Sequence, residues 1–164
     1  MRIFIIGFMG SGKTTIAKKI ANKLSYKFVD IDKLIEDKYR KTIFEIFRDK
    51  DEKYFRNIEK ETLESLITDD NIVIATGGGC PCFNNNMSLM NKTGITIYLK
   101  LKTGFLINRL INSKVKRPLI EGKSKEELKD FIEKTLSERE IYYNQAKIII
   151  DAENFKISEL IEKL

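Results

Sequence analysis

The segment Gly7-Phe8-Met9-Gly10-Ser11-Gly12-Lys13-Thr14 constrains this chain more than any other. It fits the pattern G-x-x-x-x-G-K-[ST] in full. Before it, Ile3 to Ile6 reads as a buried strand. After it, residues 14–24 read as a helix, with Ile16, Ile20 and Leu24 at helical spacing. A strand, a glycine-rich turn and a helix start let backbone N–H groups turn inward around phosphate oxygens. The helix contributes its positive end. Lys13 can then bridge the β- and γ-phosphates of a nucleotide, and the Thr14 hydroxyl can ligate Mg²⁺. A switch GTPase, an ATP-driven motor and a metabolite kinase all carry such a loop, so the loop alone does not choose among them.

Apolar runs and helical stretches alternate along the rest of the chain. Further strands are expected at 28–30, 72–76, 95–101 and 148–150. Helices are expected at 33–39, 84–91, 103–112 and 156–164. Thr42 with Glu45 and Ser124 with Glu127 are capping boxes, the second opening a helix to 146. Asp51 can cap a long helix through 67. Residues 113–123, with Pro118 and Gly122, read as a loop. The 164 residues make one domain of α/β class, a five-stranded parallel sheet with helices on both faces. Ligands on such sheets bind beyond the carboxyl ends of the strands. Three of those ends carry unusual residues: Gly7 onward, Asp30 to Asp32, and Gly77 to Gly79.

Composition removes several chemistries. The chain has no histidine, so Ser-His and Cys-His catalysis are excluded, and a general base must be a carboxylate, Lys or Tyr. Cys80 and Cys82 are too close along the chain for an unstrained disulfide and too few for a structural zinc site. They read as reduced thiols of a cytoplasmic protein. No stretch has the roughly 20 apolar residues that span a bilayer, and the apolar run after Met1 is too short for a signal peptide. Two sequons, at Asn86 and Asn91, carry no weight without one. The net charge of +6 fits either an anionic small molecule or a Lys-rich solvated surface. No basic block argues for nucleic acid.

Candidate acceptor residues cluster at the other two strand ends. Strand alternation would send Asp30 and Asp32 to one side and Ile31 to the other. One acid would orient Mg²⁺ waters, the other take a proton from an attacking hydroxyl. The same acids also suit an N-cap cluster before Lys33. Gly77-Gly78-Gly79 permits close backbone approach to a ligand, or is a plain flexible turn. Arg56 and Arg139 can each pair bidentately with a carboxylate, though a lone Arg is more often a surface residue. Arg117 beside Pro118 suits a lid that closes on substrate, while Lys114, Lys116 and Arg117 also suit a solvated basic loop.

Together, Gly7 to Thr14, Asp30-x-Asp32, Phe55-Arg56, Thr76-Gly77-Gly78-Gly79, Arg117-Pro118-Leu119 and Arg139 with Tyr143 resemble the shikimate kinases. The ordered set runs through nearly the whole chain, and Gly79 to Phe83 is similar to some bacterial members. The resemblance implies a nucleoside-monophosphate-kinase-like fold, strand order 2-3-1-4-5, with a mobile lid at about 112–124 and an acceptor-binding segment at about 33–60. It implies phosphorylation of the 3-hydroxyl of shikimate with MgATP, in aromatic amino-acid biosynthesis; a monomer is expected. Asp32 would hold the acceptor hydroxyls and act as base, with Asp30 near Mg²⁺ through water. Arg56 and Arg139 would grip the carboxylate, and Gly78 and Gly79 would line the pocket. Gly10, Ser11, Gly12, Lys13, Thr14 and Thr15 would hold the nucleotide. Arg117 would close on its phosphates and Arg109 stack on adenine.

The chain departs from that pattern in three places. The spacing from Arg109 to Arg117 is one residue longer. Asp51 stands where the family usually has Gly, a change that Asp's tolerance of left-handed backbone would absorb. Ile31 replaces a small polar residue and should point away from the ligand. A gluconate or nucleotide kinase is the nearest rival reading, and a non-catalytic nucleotide-binding module the next. A GTPase would need N-K-x-D, and Asn91-Lys92-Thr93-Gly94 lacks the Asp.

Overall fold

The computed structural model describes residues 1–113 and 120–164. Five strands, β1 (Arg2–Ile6), β2 (Lys27–Asp30), β3 (Ile72–Ala75), β4 (Ile95–Lys100) and β5 (Ile148–Asp151), form one sheet in the order β2-β3-β1-β4-β5. Every neighbouring pair is parallel, with Ile5 opposite Ala75 and Ile6 opposite Tyr98 across the central strands.

The alternation within β1 sets up two cores. Ile3 and Ile5 join Val73, Ala75, Ile97 and Leu99 on one face, under Ala17, Ile20 and Ala21 of α1 (Lys13–Leu24). Leu160 of α8 (Ile157–Ile161) closes that side. Phe4 and Ile6 join Ile72, Ile74 and Tyr98 on the other. There they meet α2 (Ile31–Tyr39), α3 (Ile43–Asp49), α4 (Glu52–Leu66), α5 (Asn86–Thr93), α6 (Thr103–Ile111) and α7 (Lys125–Tyr143). Full burial of a large apolar side chain contributes about 1.5–3 kcal/mol, so the two apolar layers hold the strand ends at fixed separations.

Local chemistry explains the element starts. Both capping boxes form, Thr42 with Glu45 and Ser124 with Glu127. Asp51 accepts from the Tyr54 backbone N–H at 2.7 Å and caps α4. Its φ is −113°, so the substituted Gly position is not left-handed; here Asp works as a cap.

Several boundaries differ from the sequence expectation. β2 runs into α2 without a loop, so Asp30 is the N-cap residue and Asp32 lies in the first helical turn. Strand alternation therefore does not place the two acids; helix geometry does. Ile31 is fully buried, as expected. β3 ends at Ala75, although Thr76 still donates its backbone N–H to the Ile5 carbonyl at 3.2 Å. Asn84 and Asn85 adopt left-handed φ of 52° and 58°, which delays α5 to Asn86. α7 stops at Tyr143, and α8 is only Ile157–Ile161. A 3-10 turn at Cys80–Cys82, not foreseen, has Pro81 in its first turn.

Candidate active site

Gly10 and Gly12 take φ of 81° and 96°, a region closed to most side chains, and this bends the loop after β1 back onto the start of α1. Lys13, Thr14 and Thr15 form the first turn of that helix. The Lys13 ammonium donates to the Gly7 and Phe8 carbonyls, each at 2.9 Å. Ser11 is buried inside the loop. Arg109 donates to the carbonyls of Gly10 at 3.3 Å and Ser11 at 3.0 Å, so it sits against the nucleotide loop. The Thr14 hydroxyl donates to Asp30 Oδ2 at 2.6 Å. This pair of hard oxygen donors beside the loop suits a small divalent cation. Asp30 also caps α2 by accepting from the Lys33 N–H. The capping and cation readings of this acid are compatible, because its two oxygens divide the work.

The three strand-end segments converge. A Cβ placed on Gly78 would lie 3.2 Å from the Met9 amide nitrogen and 3.5 Å from Arg139 Nη1. On Gly77 it would lie 2.8 Å from both Asp32 Oδ1 and Glu59 Oε1, and on Gly79 2.5 Å from Arg56 Nη2. Side chains at 77 and 79 would displace these charged groups, so the glycine run is a requirement of close approach and not a plain turn.

Arg56 is only 7% exposed, which sets aside the surface reading. Glu52 Oε1 accepts from its Nε at 3.2 Å and its Nη2 at 3.0 Å, and Glu59 Oε2 from its Nη1 at 2.8 Å. Phe83 covers the guanidinium face at 4.3 Å, and Asn84 ties its side-chain amide to the Arg56 carbonyl at 2.9 Å. A guanidinium has five donors, so two remain beyond these contacts. Arg139 lies over the Phe8 ring.

One cavity of about 970 Å³ connects these groups, from Thr14 and Asp30 past Asp32 to Arg56, Gly79 and Arg139. Phe47 and Phe55, in tilted contact at 4.7 Å, supply apolar wall. Burial, helped by Asp30, pushes the Asp32 carboxyl up to about 6, although Lys13 and Arg56 pull it down. Lys13 is thus close enough to act on Asp32. Burial also pushes Glu59 up to about 7, against the pull of Arg56. Burial holds Cys80 well above the ordinary thiol value and Cys82 at about 11, so both stay protonated and serve packing.

Of the residues expected from sequence, Lys13, Thr14, Asp30, Asp32, Arg56, Gly78, Gly79, Arg109 and Arg139 are brought to this region. Arg117 lies outside the described residues, as do Lys114 and Lys116. Glu59 was missed. Its signal was a carboxylate on the apolar face of α4, in line with Phe55, Thr62, Leu63 and Leu66. Among the described residues, no group of three or more acids or thiols is placed to hold a metal, and no helix is long and apolar enough to cross a membrane.

Comparison with known proteins agrees with this geometry. The family described as "Shikimate kinase" matches residues 9–164. A shikimate kinase of Azobacteroides pseudotrichonymphae is 49% identical over 99% of this chain and 96% of its own length. The crystal structure of shikimate kinase from Bacteroides thetaiotaomicron is 40% identical, with a TM-score of 0.92 over 99% of this chain and 95% of that one. Shikimate kinase from Acinetobacter baumannii, solved in complex with shikimate, is 30% identical with a TM-score of 0.88, over 99% and 89%. With the phosphate loop, the glycine turn and two arginines meeting in one cavity, the chain belongs to the shikimate kinase family.

Proposed function

We propose that this chain transfers the γ-phosphoryl group of ATP to the 3-hydroxyl of shikimate, giving shikimate 3-phosphate for aromatic amino-acid biosynthesis. The observation that carries this reading is the meeting at Gly78. There a side-chain carbon on Gly78 would stand 3.2 Å from the Met9 amide nitrogen of the loop and 3.5 Å from Arg139 Nη1, so the three border one small space. A carboxylate held by Arg56 and Arg139 would lie across the same cavity from the triphosphate end.

Phosphoryl transfer needs mainly positioning and charge neutralisation. The loop amides and Lys13 would hold the phosphates, with Thr15 in the same first turn and Arg109 beside the loop on the adenine side. The remaining donors of Arg56 and the fork of Arg139 would fix the acceptor carboxylate. Gly78 and Gly79 would line its ring. Thr14 and, through water, Asp30 would hold Mg²⁺, which when bound with ATP neutralises phosphate charge. Asp32 would orient the acceptor hydroxyl and take its proton as the oxygen attacks phosphorus and ADP leaves. A carboxyl raised to about 6 is a carboxylate at neutral pH, yet more basic than an ordinary Asp. Arg117 would close on the phosphates within a lid at about 112–124, a role that rests on sequence. A cytoplasmic monomer completes this reading.

A panel of acceptors tests it: shikimate, gluconate and nucleosides, each with ATP in a coupled ADP assay. Turnover with shikimate far above the others is expected. Preferential turnover of gluconate, or tight ATP binding with no acceptor consumed, would overturn the proposal.

A further inference from the structure

Tyr143 is completely buried at the end of α7, its ring 5.0 Å from that of Tyr98. A buried phenol needs a hydrogen-bond partner, and any nearby carbonyl would serve. Tyr143 is distinguished by its partners. Its hydroxyl donates to the Gly78 carbonyl. The same hydroxyl lies within hydrogen-bonding reach of the Arg139 guanidinium, one helical turn earlier on α7. Both partners border the cavity.

This matters because of what glycine lacks. Gly78 and Gly79 have no side chains through which packing could fix the peptide between them. Rotation of that peptide would redirect the Gly79 N–H, which lies trans to the Gly78 carbonyl. With the carbonyl held by Tyr143, that N–H faces away from α7. Arg139, for its part, carries a long side chain with much rotamer freedom to lose. Donating to a hydroxyl on a rigid ring removes part of that freedom before any ligand arrives.

We infer that Tyr143 is a positioning residue for the acceptor, its one hydroxyl fixing Arg139 and the Gly78–Gly79 peptide relative to each other. The inference rests on the reading of Arg139 and the glycine turn as acceptor-binding groups. It acts on binding geometry, so it should appear in the acceptor terms and leave the nucleotide terms alone.

Three variants test it by steady-state kinetics and by direct titration with shikimate. Tyr143→Phe keeps the ring packing and deletes the hydroxyl. We expect its KM for shikimate and its Kd to rise about tenfold, with KM for ATP within about twofold, the loss of one hydrogen bond to a charged group. Tyr98→Phe deletes the neighbouring buried hydroxyl, which lies 3.4 Å from Glu140 and does not touch Gly78. It should leave both KM values within about twofold, as a change remote from the acceptor. Arg139→Ala should weaken shikimate binding more than Tyr143→Phe does. Unchanged shikimate affinity in Tyr143→Phe, an equal rise in both KM values, or an equal effect from Tyr98→Phe would overturn the inference. If Arg139→Ala also left shikimate affinity unchanged, the acceptor-site reading would fall with it. If Arg139→Ala weakened binding and Tyr143→Phe did not, only the role of Tyr143 would fall.

Discussion

Arg56 and Glu59 form a buried ion pair 2.8 Å apart, one turn from each other on α4, and the second oxygen of Glu59 has no hydrogen-bond partner. Glu59 is fully buried and Arg56 nearly so. Removing either partner of such a pair strands a charge in a poorly solvated place. The Gly77 notch that Glu59 faces is shared with Asp32.

The burial of Glu59 makes stability depend on pH in a defined direction. The Glu59 carboxyl lies near 7 in the fold, against an ordinary value of 4.5. Between those values the folded chain binds more protons than the unfolded one, so stability falls as pH rises through that window. In urea unfolding at pH 5, 6, 7 and 8, the wild type should lose stability up to about pH 7 and level off above it. Glu59→Gln, which keeps an oxygen for Arg56, should lose less, the remainder coming from Asp32, whose buried carboxyl is raised to about 6. Equal slopes for the two proteins would show that Glu59 does not carry the dependence.

Lys13→Ala should abolish phosphoryl transfer, lowering kcat by at least about a hundredfold, as removal of a charge-stabilising donor does. Circular dichroism should be unchanged, since the side chain donates to loop carbonyls and is not part of either apolar core. Undiminished turnover in the coupled assay would refute the role.

Gly79→Ala introduces a methyl group 2.5 Å from the Arg56 guanidinium. That guanidinium is already fixed by two carboxylates and a ring, so it cannot move freely. The variant should lose about 1–3 kcal/mol of stability through overpacking and also bind shikimate more weakly. Thermal unfolding and titration calorimetry check the two effects separately. Wild-type behaviour in both would mean that Arg56 has room to retreat.

Asp51→Ala should cost about 1 kcal/mol through loss of the α4 cap. Asp51→Gly should cost only a few tenths, because Gly is itself tolerated at an N-cap. Melting temperatures rank the three proteins. If Gly were as damaging as Ala, backbone freedom and not the cap would govern this position.

The nucleotide loop could be read from sequence because its chemistry demands contiguous residues: two glycines with positive φ, then a lysine at a helix start. The caps could be read for the same reason, each being a contact across three residues. The strand order and the pairing of distant ends were expectations of resemblance, since no local pattern says which strand lies beside which. Asp30 and Asp32 both line the cavity, but for a reason other than the one alternation suggested, because the helix begins directly on the strand. Glu59 stayed hidden because its meaning depends on Gly77, which is eighteen positions away along the chain and adjacent only after folding. The delay of α5 came from two asparagines whose left-handed backbone has no fixed sequence signature.

The parallel sheet also gives the molecule a polarity useful at the bench. Met1 sits at the amino end of β1, its amino group 3.3 Å from Asn71 Oδ1, while the same strand ends at the loop whose Met9 lines the cavity. A support or fusion partner attached through the first residue would therefore hold the molecule by its back, with the mouth of the cleft turned outward to the solution.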